Sequence, residues 1–159
     1  MIRSALSVRF GSLMIPGSLR SFGIGDPSDF NPRSSCTLIV LADAAHGVRA
    51  QDSTGREFRL RQGDEFQIEG TGIVGFSSDH PCVGPEGLRG WYDPFVDSPF
   101  KQNVGALEFS IAPLEGNRHF AGTYYRGTAE VGGVPTFRIV DRLSGYHGRG
   151  AFNVTVRKI

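Results

Sequence analysis

The sequence predicts an all-β protein whose strands pack as an antiparallel β-sandwich. Short stretches of alternating apolar and polar residues recur along the chain, and a period of two residues is typical of strands with one buried face. Clusters of Gly, Asp, Ser and Pro separate these stretches at intervals of roughly 8–12 residues, as in sandwiches and barrels. No stretch shows a sustained 3.6-residue period, so no helix is predicted.

The size and composition suit one globular domain. The chain has 159 residues, of which 39% are hydrophobic, and its 22 glycines and 9 prolines are typical of a protein rich in turns. The formal net charge is +1, which gives no electrostatic basis for binding nucleic acid, since such binding needs clustered positive charge. No apolar run approaches the ~20 residues of a membrane helix, so we expect no membrane insertion.

No conventional export signal is expected. Residues Thr37–Ala45 combine an apolar core with small residues, as signal peptides do, but they begin beyond the usual window of ~15–30 residues. We therefore expect a protein that is cytoplasmic or leaves the cell by a non-classical route. Cys36 and Cys82 fit either one disulfide of a secreted protein or two reduced thiols, and their spacing leaves both interpretations open.

Residues 1–46 are predicted to form an N-terminal extension of extra strands or linker, followed by a sandwich over residues 47–159. Ser7–Phe10 alternates, and residues 16–35 are rich in Ser, Gly, Pro and Asp, which indicates a loop. The apolar run Cys36–Leu41 is typical of a strand that is covered on both faces.

Four strands are predicted between residues 48 and 76. Val48–Gln51 precedes an Asp-Ser-Thr-Gly turn, and Glu57–Arg61 and Glu65–Glu69 alternate on either side of a Gln-Gly-Asp turn. Ile73–Phe76 is short and apolar, which indicates a further buried strand.

A long excursion with four prolines, Ser77–Phe100, precedes the predicted strands Ala106–Ile111 and Arg118–Tyr125. An irregular segment of that length inside a compact domain is usually functional. It contains Trp91 and Tyr92, and an exposed aromatic ring is the usual surface on which a sugar ring stacks. Packing of Trp91 onto the core explains the residue equally well, and both interpretations stay open.

The last third of the chain contains the clearest strands, Pro135–Asp141 and Ala151–Arg157, joined by the polar loop Arg142–Gly150. The loop is too long and too rich in glycine for a two-residue turn. Loops of this kind on a rigid sheet often carry binding residues. Asp141 lies where the first strand ends, so we expect it to be the main functional residue.

Enzymatic chemistry is not predicted. A glycosidase needs two carboxylates ~5–9.5 Å apart, and no acid of this sequence stands in an evidently shielded environment. The polar loops supply four candidate acids: Asp79, Asp93, Asp97 and Asp141. Residues 79–82 hold three metal-binding side chains without the second cluster that a zinc site needs. No Gly-x-Ser-x-Gly or other nucleophile motif is present.

Six short motifs follow one another along residues 48–159. They are Val48-Arg-Ala-Gln-Asp-Ser-Thr-Gly, Gln62-Gly-Asp-Glu-Phe-Gln-Ile, Gly72-Ile-Val-Gly-Phe76, Gly84-Pro-Glu-Gly87, Gly105-Ala-Leu-Glu-Phe-Ser-Ile, and Val140-Asp141 through Gly150-Ala-Phe-Asn-Val-Thr-Val. In kind and order these motifs resemble those of the small soluble bacterial galactophilic lectins of the PA-IL type. The resemblance covers about the last 70% of the chain.

The resemblance implies a jelly-roll-like, galactose-binding-like sandwich that binds galactosides through a calcium ion held by loops at one end. By position, Asp141 corresponds to the carboxylate that contacts both metal and sugar, and the carbonyl of Phe76 corresponds to another calcium ligand. The hydroxyl of Ser144 is a further oxygen donor in the same loop. The metal ligands implied in this way are Phe76, Asp141 and Ser144.

The loop after Asp141 departs from the family's pattern. It is one residue shorter, it lacks two adjacent asparagines that serve as donors, and Arg142 and Arg149 bring positive charge towards the implied cation. Calcium takes ~6–8 oxygen ligands, so this loop is poor in donors. Sugar recognition without calcium would use charge-assisted hydrogen bonds from Asp141, Arg142 and Arg149, with His147 in the same loop.

Two functions are expected. The first is a non-catalytic carbohydrate-binding domain for galactoside-type or related sugars, with Trp91 and Tyr92 beside the loop residues. A homo-oligomer would raise its avidity without new contacts. The second is a protein-interaction or assembly module on the same fold, with a decayed sugar site and a protein partner reached through residues 1–46.

Overall fold

In the computed structural model the protein is an antiparallel β-sandwich, as predicted, and the described residues contain ten strands and no helix. The described residues are 35–44, 47–75, 81–90, 96, 98–101, 103–111, 114–141 and 148–159. The strands are β1 (Ser35–Leu41), β2 (Val48–Arg49), β3 (Glu65–Gly75), β4 (Leu88–Arg89), β5 (Asn103–Val104), β6 (Leu107–Ile111), β7 (Leu114–Phe120), β8 (Tyr124–Thr128), β9 (Pro135–Ile139) and β10 (Arg149–Lys158).

Two four-stranded sheets face each other across the core. Sheet A has the order β1-β10-β3-β8 and sheet B the order β2-β9-β6-β7, and their pairings are antiparallel. Phe66 and Phe152 from sheet A meet Phe109 and Phe137 from sheet B, and none of the four is more than 1% exposed. Burial of a side chain of this size contributes roughly 1.5–3 kcal/mol.

The apolar run near residue 36 forms β1, but the prediction that both of its faces are covered is wrong. Leu38 and Val40 are buried, whereas Ile39 and Leu41 are 58% and 52% exposed. β1 lies at the edge of sheet A, and only the face towards sheet B is packed. An apolar sequence therefore does not require burial on both sides here.

β3 is one strand of 11 residues, so the prediction of two separate strands, Glu65–Glu69 and Ile73–Phe76, is wrong. The intervening glycines suggest a turn, yet Gly72 stays in the ladder with a φ of +105°. A Cβ on Gly72 would lie 2.4 Å from the carbonyl oxygen of Ala151 on β10. Glycine is needed there so that β3 and β10 can remain paired.

Two other predicted boundaries are also wrong. Arg118–Tyr125 is divided between β7 in sheet B and β8 in sheet A, because the chain turns at Ala121–Thr123 and crosses between the sheets. Glu57–Arg61 forms no strand and makes only isolated bridges, although Phe58 and Leu60 are buried as the alternation predicts.

The long excursion after β3 is more regular than predicted. Its strand β4 pairs with β5, and its Val96 joins Val104, Ala106 and Val140 in a small second hydrophobic core. All five residues of β6 are buried, which indicates that both faces of this strand are covered.

Glu108 of β6 is a buried carboxylate, 2% exposed. It accepts a hydrogen bond from the Ser98 hydroxyl at 2.6 Å and lies 3.4 Å from Nη1 of Arg118. A buried charge requires such partners, because removal of one leaves an uncompensated ion. Glu108 therefore ties the excursion that carries Ser98 to strand β7.

Several predictions fall on residues outside the described part of the chain. These are the strand at Ser7–Phe10 and nearly all of the loop at residues 16–35, so the domain boundary near residue 47 stays a prediction. Cys36 is buried and Cys82 exposed, and the two are not joined by a disulfide. No helix among the described residues is long and apolar enough to span a membrane.

We expect Gly72→Ala to destabilise the fold more than Gly55→Ala. Both glycines have positive φ, but a Cβ on Gly55 meets nothing within 4 Å. Gly55→Ala thus isolates the backbone strain, about 1–2 kcal/mol, and Gly72→Ala adds the clash with β10. Urea denaturation of the two variants measures the difference, and equal losses would contradict the role assigned to Gly72.

Candidate functional site

Three chain connections meet at one end of sheet A. β3 ends at Gly75, and its register partner on β10 is Arg149, the first residue of that strand. β1 ends at Leu41, which pairs with Ala151 two residues further along β10. This end of the sandwich is here called the loop end.

Asp141 follows β9 of sheet B, and the chain runs from it to Gly148 and Arg149 at the loop end. The Val140 amide donates to the carbonyl of Ala106 at 2.8 Å, and the Gly105 amide donates to the carbonyl of Val140 at 2.7 Å. Since β9 belongs to sheet B and β10 to sheet A, the connection that follows Asp141 must cross between the sheets. Asp141 is half-buried and takes part in a polar contact, and Arg149 is exposed.

The segment that contains Phe76 also leaves from the loop end. Val74 exchanges two backbone hydrogen bonds with Val83, at 2.9 and 2.8 Å. The chain therefore departs after Gly75 and returns to the edge of β3 at Val83. Cys82 packs against this point, because its sulfur lies 3.1 Å from the position of a Cβ on Gly75.

The excursion that contains Trp91 and Tyr92 is linked to the end of β9 through β4 and β5. Its last described residue is Gly90, which follows β4, and β4 pairs with β5. Gly105 follows β5 directly and is hydrogen-bonded to Val140, next to Asp141. β4 is thus linked through β5 and Gly105 to Val140, the residue before Asp141.

Only two of the predicted site residues, Asp141 and Arg149, are described by the structure. The six others lie outside the described residues, and their membership of the site stays a prediction. They are Phe76, Trp91, Tyr92, Arg142, Ser144 and His147. Phe76 follows Gly75 at the loop end, and Arg142, Ser144 and His147 stand in the sequence between Asp141 and Gly148.

Asp43 is a carboxylate at the loop end that sequence reasoning missed. The Ala42 amide donates to the carbonyl of Gly150 at 3.2 Å, and a Cβ on Gly148 would lie 2.6 Å from the Cβ of Ala42. The turn after β1 therefore lies against the start of β10, and Asp43 follows it with an exposed side chain. Little in the local sequence marks Asp43 as functional, because it stands in a run of alanines.

No three His, Cys, Asp or Glu residues of the described part form a group that could hold a metal ion. Arg149 pairs with Gly75, the residue directly before Phe76, whose carbonyl the family resemblance implies as a calcium ligand. A guanidinium beside that position is electrostatically unfavourable for a bound cation. Calcium binding stays a prediction.

Glu86 lies in one of the lectin-like motifs, and its described contacts are structural. Its Oε1 accepts hydrogen bonds from the amide of Thr123 at 2.7 Å and from the Thr123 hydroxyl at 2.8 Å. The amide hydrogen bond is the main cause that lowers the pKa of Glu86. Partial burial opposes it, and the hydroxyl hydrogen bond and the charge of Arg89 add smaller lowering contributions, so that the net shift is downward. The carboxylate fastens the turn between β7 and β8 to the segment before β4.

We expect Glu86→Gln to reduce the acid sensitivity of folding. Because the folded-state pKa is below its ordinary value of 4.5, the deprotonated carboxylate stabilises the fold above that pH. This contribution is lost as the pH falls through the lower folded-state pKa. Urea denaturation should show the variant less stable than wild type at about pH 7, and the gap should be smaller at an acidic pH below 4.5.

Thr123→Val is the matched control for Glu86→Gln. It removes the hydroxyl donor and keeps the amide donor, so it should lose less of the pH-dependent stability. A gap between Glu86→Gln and wild type that is the same at both pH values would rule out the ionised carboxylate as its source.

Comparison with known proteins identifies the fold. No protein-family model matches the chain, and no curated protein sequence matches it. Eight chains of solved structures do match. One is described as the EclA N-terminal domain, a PllA-like lectin, with a TM-score of 0.59 and 19% sequence identity. The match covers 78% of this chain and 96% of that chain, and at this identity it shows a shared fold.

Proposed function

We propose that this protein is a non-catalytic carbohydrate-binding domain that recognises galactoside-type or related sugars at the loop end. The observation that carries the proposal is the convergence of connections from both sheets beside Asp141 and Arg149. The fold shared with a domain described as a lectin supports it. Binding residues on loops held by a rigid sheet are a common arrangement.

Recognition would rest on directed polar contacts and one apolar surface. The Asp141 carboxylate accepts hydrogen bonds from sugar hydroxyls, and the Arg149 guanidinium donates to hydroxyls or to the carboxylate of an acidic sugar. Arg142 and His147 would add donors from the same loop. Trp91 and Tyr92 would supply the ring on which the apolar face of a sugar stacks.

The proposed site does not depend on calcium. Calcium prefers ~6–8 oxygen ligands with several carboxylates, and the implied set of Phe76, Asp141 and Ser144 contains one carboxylate. The exposed Arg149 lies opposite Gly75, where its charge opposes a cation bound at the next residue. The proposal therefore assigns no part of the recognition to the metal.

Sugar binding should raise the melting temperature of the purified protein in millimolar galactose or galacturonate. A ligand at about ten times its Kd stabilises the folded state by about 1.4 kcal/mol. Asp141→Asn should abolish the shift, and Arg149→Gln should weaken galacturonate binding about tenfold, because a charged hydrogen bond is lost. EDTA should leave the shifts unchanged.

Arg157→Gln is the matched control for Arg149→Gln. Arg157 lies on the same strand near the opposite end, where it pairs with Glu69 at 3.0 Å, and its replacement should leave sugar binding intact. No shift with either sugar would refute the proposed recognition. A shift that disappears in EDTA would refute independence from calcium.

An exposed apolar patch favours a second candidate function, a protein-interaction or assembly module. Ile39 and Leu41 of β1 and Ile73 of β3 are 58%, 52% and 61% exposed. Leu41 and Ile73 both pair with Ala151, so the side chains share the outer face of sheet A. Neighbouring exposed apolar side chains often mark a protein contact, and we propose a second copy of this chain as the occupant.

The double variant Ile39→Thr/Ile73→Thr should dissociate the proposed homo-oligomer, because threonine keeps the β-branched shape and adds a hydroxyl. Light scattering after size exclusion measures the mass over a concentration series. Tyr124→Thr is the control, since Tyr124 is 56% exposed on β8, outside the patch. A wild-type protein that is monomeric at every concentration would eliminate self-assembly through this face.

A further inference from the structure

Strand β1 forms one edge of sheet A and is long, regular and uncharged. Its seven residues, Ser35–Leu41, include neither proline nor a charged residue, and its register with β10 runs over all seven without a shift. The side chains of Ile39 and Leu41 on the outer face are 58% and 52% exposed. An apolar edge strand of this kind presents a row of unpaired backbone groups with which another strand can pair.

The other three edges of the two four-stranded sheets carry features that oppose such pairing. β2 has only two residues. β8 has five residues with Arg126 at its centre, and β7 contains Arg118 and shifts its register against β6. Short length, charge and irregular register are the usual protections of an edge strand. β1 has none of them, so it is the edge of the described sheets that is most open to a further strand.

The backbone groups of alternate β1 residues point away from β10. The Ala42 amide donates to the carbonyl of Gly150 at 3.2 Å, and hydrogen-bonded pairs alternate with non-bonded pairs along an antiparallel ladder. Residues 36, 38 and 40 therefore bond to β10, whereas residues 37 and 39 direct their amides and carbonyls to the open side. Among the described residues, no backbone group bonds to these outward groups of Thr37 and Ile39.

We propose that β1 pairs antiparallel with β1 of a second copy of this chain, so that the four strands of sheet A from each copy form one continuous sheet. A twofold axis perpendicular to the sheet makes the two strands antiparallel and gives both copies the same contact surface. The outward groups of Thr37 and Ile39 then bond across the axis. This inference rests on the self-assembly proposed above as the second candidate function, and it specifies the edge by which two copies join.

The composition of β1 favours a second copy as the occupant of this edge. Self-pairing of β1 brings no like charges together, whereas self-pairing of β8 would place two copies of Arg126 near each other. Ile39 and Leu41 lie on the same face in both copies and gain apolar cross-strand neighbours. The apolar patch alone consists of three side chains, which is small against the roughly 800 Å² per partner of a stable interface. Edge pairing adds a full strand to that contact.

The antiparallel arrangement directs the two loop ends away from each other. β1 ends at Leu41, beside the loop end. The twofold axis therefore places the loop end of the partner at the opposite margin of the joined sheet. The candidate sugar sites of the two copies thus face in opposite directions, which suits the linking of two glycan-bearing surfaces more than repeated binding to one surface.

Thr37→Pro tests the pairing, because it removes an amide that faces the open side and removes no hydrogen bond of the β1–β10 ladder. Light scattering after size exclusion should give half the wild-type mass at a concentration at which wild type is assembled. Thr37→Val is the matched control. Both substitutions remove the 3.0 Å hydrogen bond between the Thr37 and Thr155 hydroxyls, but valine keeps the backbone amide, so this variant should keep the wild-type mass.

Amide hydrogen exchange provides a second measurement within the strand. In assembled wild type the Ile39 amide should exchange at least about tenfold more slowly than in Thr37→Pro, because it bonds to the partner strand. The Leu38 amide points to β10 and should stay protected in both proteins. Its protection shows that β1 keeps its place in the sheet of the variant.

An oligomer that survives Thr37→Pro would overturn the edge pairing, and its dissociation by Ile39→Thr/Ile73→Thr would leave assembly through the apolar patch intact. Fast exchange of the Ile39 amide in assembled wild type would also overturn the pairing. A protected Ile39 amide in a monomer would do the same, since β1 would then be covered within one chain. A wild type that is monomeric at every concentration would eliminate self-assembly and this pairing together. Sugar binding at the loop end is independent of these results.

Discussion

The β3–β10 ladder joins ten residue pairs in the middle of sheet A, and the other elements are placed by it. Its inner side chains include Ile68, Val154 and Val156, which are 0% exposed. Backbone groups in a buried ladder cannot exchange their partners for water, so the register is fixed along its length. β8 pairs with only the first five residues of β3, and the remaining half of the ladder extends beyond it. That extension determines where β3 ends at Gly75 and where β10 begins at Arg149.

A second constraint acts on sheet B through the buried Glu108. The carboxylate needs the Ser98 hydroxyl and the Arg118 guanidinium because its own charge is removed from water. Ser98 belongs to the excursion and Arg118 to β7, so one buried charge connects segments distant in sequence. The excursion that carries Trp91 and Tyr92 is held at described positions on both sides of these residues, by the pairing of Arg89 with Asn103 and by the hydrogen bond of Ser98 to Glu108. The polar residue Ser98 of this excursion thus has a structural role.

The loop end and the apolar patch offer different chemistry on one scaffold. The loop end gathers connections from both sheets and combines a carboxylate with a guanidinium, which suits a ligand with hydroxyl groups and hydrogen bonds in several directions. The apolar patch lies on the outer face of sheet A near the loop end, because its residue Ile73 is two residues from Gly75, where β3 ends.

The sequence by itself determined the all-β class and the cores of most strands, because alternation such as Phe152, Val154 and Val156 records which face is buried. It also placed Asp141 at a strand end. It did not determine that β3 continues through Gly72, because a glycine that prevents a clash and a glycine that makes a turn look the same in a sequence. The crossing of the chain between β7 and β8 and the position of Asp43 beside β10 were decided only by the tertiary structure. Each depends on contacts between residues far apart in the chain, which no local pattern encodes.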